Sequence, residues 1–186
     1  MSRQRDILPE VVDELAAAYP RCAMLLGGSV SAGEERPNSD LDLFVVFEGD
    51  GAIRLDQESQ RNGVALDTCY LPTEGFWAAW TEKPYNFWMF AWADILVDPT
   101  GIGKACQEPA RQYVLDHPAI TRLWETQTAD FKRHRQDPTH PLDFATWDTF
   151  AQHLEEQVAR LGDAHWLCTP PQALRRLRFV HGVHRA

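Results

Sequence analysis

Apolar residues recur at Ile7, Val11, Leu15 and Ala18, a spacing that predicts a helix over 7–19, stopped by Pro20. The unbroken apolar run Cys22 to Leu26 suits a buried strand and ends at Gly27-Gly28-Ser29. A polar stretch rich in turn residues, SAGEERPNS, follows. Leu41 to Phe47 is the clearest strand, closed by Glu48-Gly49-Asp50-Gly51. Residues 52–60 read as helical, and Val64 to Leu71 reads as a strand between Asn62-Gly63 and Pro72. The segment from Glu74 to Trp92 is dense in aromatics and has no clear period. Ala93 to Val97 is a short strand candidate, and Asp98-Pro99-Thr100-Gly101 has type I turn residues in order. From Ile102 the texture becomes helical, with runs near 120–134, 144–161 and 172–180 separated by proline-bearing loops. The pattern predicts an α+β chain: a mixed part over 1–103 and a helical C-terminal region over 104–186.

Composition narrows the classes. A chain of 186 residues suits one compact domain or one domain with a small helical annex. Its 44% apolar content and seven tryptophans support a packed core over disorder. No apolar run is long enough to span a bilayer, and the polar start MSRQRDILPE lacks a signal-peptide pattern. Cys22, Cys69, Cys106 and Cys168 are scattered, with no CxxC pair, and read as reduced thiols of a cytoplasmic protein. The net charge of −9 works against duplex nucleic acid as a partner. Arg175, Arg176, Arg178 and Arg185 form a local exception, which suits a helix end better than a nucleic-acid patch.

Two charges interrupt the clearest strand. Asp40 and Asp42 flank Leu41, and strand alternation puts them on one face, with Cα atoms roughly 6–7 Å apart. Aspartate is depleted in strands, and neighbouring like charges are costly to bury. A divalent ion with a preference for oxygen ligands, such as Mg²⁺, compensates both. Upstream, glycines at 27 and 28 let the backbone approach a ligand closely. Free N–H groups at an opening helix favour a phosphate there, with the Ser29 hydroxyl as a further donor. The aromatic stretch Phe76, Trp77, Trp80, Tyr85, Phe87, Trp88, Phe90 and Trp92 suits core packing, with one or two rings lining a pocket between sheet and helices. His181 and His184 lack a third ligand at useful spacing, so zinc is not indicated.

The stretch LLGGSVSAGEERPNSDLDLFVVF resembles the signature of the nucleotidyltransferase superfamily that includes DNA polymerase beta and the aminoglycoside and minimal nucleotidyltransferases. Gly28 and Ser29 match its Gly-Ser pair, Gly33, Arg36, Pro37 and Ser39 its loop, and Asp40 and Asp42 its metal-binding carboxylates. The resemblance implies a mixed β-sheet carrying the site with flanking helices. It also implies a third carboxylate on a later strand, and Asp67 stands where one is expected. Val30, Ser31 and Ala32 stand where many minimal members carry Arg or Tyr, leaving Arg36 as a substitute. Asp98 reads as structural. The implied roles are catalysis and binding of two Mg²⁺ by Asp40, Asp42 and Asp67, and nucleotide binding by Gly28, Ser29, Arg36 and Ser39. The implied reaction moves AMP from ATP, or another NMP from its triphosphate, to a hydroxyl acceptor such as an aminoglycoside. The alternative is a non-catalytic nucleotide-binding or antitoxin-like regulatory member of the same fold.

Overall fold

The computed structural model describes residues 2–57, 59–141 and 147–160. The expected helix over 172–180, Cys168, the arginine cluster from Arg175 and the pair His181 and His184 lie outside the described residues.

The chain opens with helix α1 (Arg3–Ala18), whose Ser2 hydroxyl accepts the Arg5 N–H. Strand β1 (Ala23–Leu26) is buried at every position. A single helical turn, α2 (Gly28–Ser31), and a loop lead to β2 (Leu41–Phe47), with the bounds its alternation predicts. Strands β3 (Arg54–Asp56), β4 (Gln60–Arg61) and β5 (Val64–Pro72) follow. The aromatic segment resolves into α3 (Thr73–Glu82), a 3-10 turn (Pro84–Phe87) and α4 (Trp88–Ala91). Strand β6 (Asp94–Val97) precedes three helices, α5 (Ile102–Asp116), α6 (Pro118–Gln136) and α7 (Trp147–Arg160). Among the described residues no helix is long and apolar enough to cross a membrane.

The sheet is mixed, in the order β3-β5-β2-β1-β6, with β4 paired to β5 outside that path. Strand β2 runs antiparallel to β1 and parallel to β5. Residues 52–60, read as helical from sequence, instead supply β3 and the first residue of β4. Arg54, Leu55 and Asp56 pair with Tyr70, Cys69 and Thr68, covering an edge of β5 that would otherwise stay open. The Arg54 guanidinium lies 4.2 Å from the centre of the Tyr70 ring, and such cross-strand contacts override a weak local preference.

Alternation along β2 sets its two faces. Leu41 and Leu43 pack with Ile7 and Val11 of α1, and Val45 with Cys22 and Met24. The opposite face carries Val46 into the largest apolar cluster, with Phe44 packed against it. That cluster joins Ala23 and Leu25 to Phe76, Trp80 and Phe90, and to Cys106, Trp124 and Leu154 of the later helices. Phe76 makes edge contacts with Trp77 and Phe87, at ring centres 4.5 and 4.7 Å apart, so most of the aromatic segment is core. Trp92 is the exception, at 47% exposure.

Helix α5 seats directly on β1: a Cβ on Gly103 would fall 2.5 Å from that of Ala23. Asp98 fixes this seat. Its Oδ1 accepts the Gly103 N–H at 3.1 Å and its Oδ2 the Lys104 N–H at 2.9 Å. These are orphan donors of a first helical turn, so Asp98→Ala should cost about 1 kcal/mol. Denaturant unfolding of the variant measures this; an unchanged midpoint would show that water replaces the carboxylate without loss.

Candidate active site

Parallel pairing of β2 with β5 places Asp42 directly opposite Asp67. Paired residues share a face, so two carboxylates from separate strands stand side by side on the face that also carries Phe44. Asp40 is the last residue before β2 rather than a residue within it. Even so, one carboxylate oxygen from each of Asp40, Asp42 and Asp67 lies within 4.8 Å of the other two. The three expected metal ligands are therefore together.

Their electrostatics are unbalanced. Burial, then the charges of Asp40 and Asp67, push the Asp42 carboxyl up to about 7 from an ordinary 3.8. Asp67 is also raised, chiefly by burial and further by Asp40 and Asp56. One contact opposes this: Gln57 Nε2 donates to Asp67 Oδ2 at 2.9 Å. Converging carboxylates, one of them raised by burial and by the like charges of Asp40 and Asp67, fit a small hard cation with oxygen ligands. Among the described residues this cluster contains no histidine or cysteine, so its donor set suits Mg²⁺ or Mn²⁺ rather than zinc.

The glycine turn is joined to the same strand. The Gly27 N–H donates to the Asp42 carbonyl at 2.8 Å. Gly28 has φ +62°, and a Cβ there would lie 1.7 Å from Asp42 Oδ2. Only glycine fits, because the Asp42 carboxylate occupies the space of a side chain. Beyond the turn, the Glu34 N–H donates to the Ser29 carbonyl at 2.8 Å, folding the loop back. Ser29 Oγ donates to Ser39 Oγ at 3.1 Å, and the Arg36 N–H donates to the same oxygen at 2.9 Å. Gly28, Ser29 and Ser39 thus adjoin one another, while Arg36 reaches the cluster through its main chain and is exposed.

Two residues have little or no signal of their role in the local sequence pattern. Gln57 is brought to Asp67 by the β3–β5 pairing, which no local pattern announces. Gln4 donates to the carbonyls of Arg36 and Ser39 from the first turn of α1, and its one mark is a polar residue at helix spacing from Ile7 and Val11. Asp98 lies at the α5 start as a cap, in keeping with its expected structural role.

Residues 8–70 match the family model for the nucleotidyltransferase domain. Among solved structures the chain is similar to a nucleotidyltransferase-like protein from Exiguobacterium sibiricum 255-15, with 14% identity and a TM-score of 0.39. That alignment covers 85% of this chain and 55% of the other, so the chain spans about half its length. No curated protein matches the chain.

Proposed function

We propose, from the match of residues 8–70 to the nucleotidyltransferase domain model, that the chain transfers a nucleoside monophosphate from a triphosphate to a hydroxyl acceptor. ATP is the proposed donor, and a small polyhydroxylated molecule such as an aminoglycoside the proposed acceptor. The observation that carries this reading is the meeting of the Asp40, Asp42 and Asp67 carboxylates beside a glycine turn packed directly against Asp42.

In the proposed reaction the acceptor oxygen attacks the α-phosphorus. The bond from that phosphorus to the oxygen bridging the β-phosphate breaks, and pyrophosphate leaves with the electron pair. Asp40, Asp42 and Asp67 are the residues that would hold Mg²⁺. When bound, two such ions supply charge neutralisation along the triphosphate and acidify the acceptor hydroxyl. Asp67 is the proposed acceptor of the hydroxyl proton; Gln57 engages only its Oδ2. Gly28 is the proposed main-chain donor to phosphate oxygens, and Ser29, Ser39 and Arg36 add polar groups at that turn. Catalysis of this kind rests on positioning and charge stabilisation, without a covalent enzyme intermediate.

The test is incubation of the full chain with each nucleoside triphosphate and Mg²⁺, against a panel of hydroxylated acceptors and the protein alone. Pyrophosphate release with ATP, abolished by chelating the metal, is the expected result. Nucleotide binding without pyrophosphate under any pairing would favour the non-catalytic alternative and overturn the proposal.

A further inference from the structure

The first turn of α1 grips the loop between α2 and β2 through side chains that the proposed reaction does not use. Gln4 is fully buried, and its Nε2 donates to the Arg36 carbonyl at 2.9 Å and the Ser39 carbonyl at 2.7 Å. Beside it, Arg5 Nη2 donates to the Val30 carbonyl at 2.6 Å, and Arg5 Nε and Ser2 Oγ both reach Glu35 Oε1. The Arg5–Glu35 pair keeps Arg5 open to solvent, which screens the attraction. The buried amide is the stronger fixture.

Its chemistry is unusual for the position. Ile7 and Val11, one and two turns further along α1, are buried apolar residues. Gln4 continues that buried face with a polar group, and among the described residues its Oε1 has no hydrogen-bond partner. An unsatisfied buried carbonyl is destabilising, so a methionine of similar length would serve the helix itself better. What the amide adds is a pair of donors aimed at carbonyls 36 and 39, and Ser39 adjoins Asp40.

We propose that Gln4 is a positioning residue for the cation site, fixing the main chain from Arg36 to Ser39 so that the Asp40 carboxylate meets those of Asp42 and Asp67. This rests on the reading of those carboxylates as a metal site. Asp40 precedes β2, so no ladder bond of that strand sets its position; the loop must be held from outside the sheet. Residues behind metal ligands typically change metal affinity by tenfold or more when removed.

The probe is Mn²⁺ alone, followed by loss of its free-ion paramagnetic resonance signal on titration with the full chain. Wild type should bind, and Gln4→Met should bind roughly tenfold more weakly. Gln4→Asn keeps the amide but withdraws it by one methylene; it should weaken Mn²⁺ in the same direction and stands in if Gln4→Met does not fold. Val12→Ala loosens the same helix where it packs against Cys22, Met24 and Val45, away from the carboxylates, so its thermal midpoint should fall while Mn²⁺ affinity stays at the wild-type value. Equal Mn²⁺ affinity in wild type and the Gln4 variants would overturn the inference while leaving the metal site standing. A matching loss in Val12→Ala would overturn it too, since general loosening would then account for the effect. Absence of Mn²⁺ binding by the wild type would overturn the metal site, and this inference with it.

Discussion

Asp42→Asn is expected to abolish nucleotide transfer and, in the same molecule, to raise the thermal midpoint of the metal-free protein at pH 8. Both effects come from one buried carboxyl. In the folded chain it titrates at about 7, against an ordinary 3.8, because burial and the charges of Asp40 and Asp67 oppose ionisation. The folded state therefore holds this proton more tightly than the unfolded state does. The stability linked to it is complete below about pH 4 and is lost as pH rises through about 7, a total on the order of a few kcal/mol. Metal-free wild type should accordingly melt lower at pH 8 than at pH 5. Asparagine has the same shape and no charge to bury, so the variant should show a flatter profile, with a residual slope from Asp67. Mg²⁺ should restore the wild type at pH 8 and do little for the variant. Transfer should fall by roughly three orders of magnitude or more, because a proposed ligand to the charge-neutralising ions is gone. The decisive measurements are pyrophosphate release and calorimetric melting from pH 5 to 8 with and without Mg²⁺. Wild-type turnover in the variant would remove Asp42 from the mechanism, and identical pH profiles would place the buried charge elsewhere.

That trade of stability for chemistry is partly legible in the amino-acid sequence. Leu41 to Phe47 can be read because its alternation is enforced twice, by α1 under Leu41 and Leu43 and by the aromatic layer against Phe44 and Val46. Two aspartates breaking such a pattern demand an explanation, and the glycines ending β1 supply its context. Asp67 is different. Its place depends on a parallel register between β2 and β5, separated by β3 and β4, and local periodicity carries no information on pairing at that distance. The same limit explains residues 52–60. Their side chains tolerate a helix, but the open edge of β5 recruits them as strands. In the aromatic segment, three short elements meet within twenty residues, and rings buried on all sides erase the contrast between faces from which a period is read. Polar residues that hold the site from outside, Gln4 and Gln57, are the least legible, because their meaning lies in the partner and not in their own neighbourhood.

Gly28→Ala should be nearly as damaging as loss of the carboxylate, and by a route that leaves all three acids in place. Two penalties coincide at this position. Its φ of +62° is one that an L-residue adopts at a cost of about 1 kcal/mol. Its added methyl would sit 1.7 Å from Asp42 Oδ2 and 2.6 Å from Asp42 Cγ, far inside contact distance. Neither neighbour can yield cheaply. Asp42 lies in a central strand paired on both sides, and the Gly27 N–H ties the turn to the Asp42 carbonyl at 2.8 Å. The carboxylate must therefore rotate away from Asp40 and Asp67, or the turn must lift from the strand. Either movement dismantles the geometry of the proposed triphosphate and metal site, and a displacement of 1 Å in such a site costs about a hundredfold in rate. We therefore expect transfer to drop by at least about a hundredfold, Mn²⁺ binding to weaken, and the thermal midpoint to fall by several degrees. Stability and affinity separate the two routes. If the methyl acts on Asp42, Gly28→Ala should cost much less stability in an Asp42→Ala background, which frees the space, than in wild type. If it costs as much in that background as in wild type, backbone strain is the whole effect. Full activity in Gly28→Ala would mean that the close approach of turn and carboxylate has no part in catalysis.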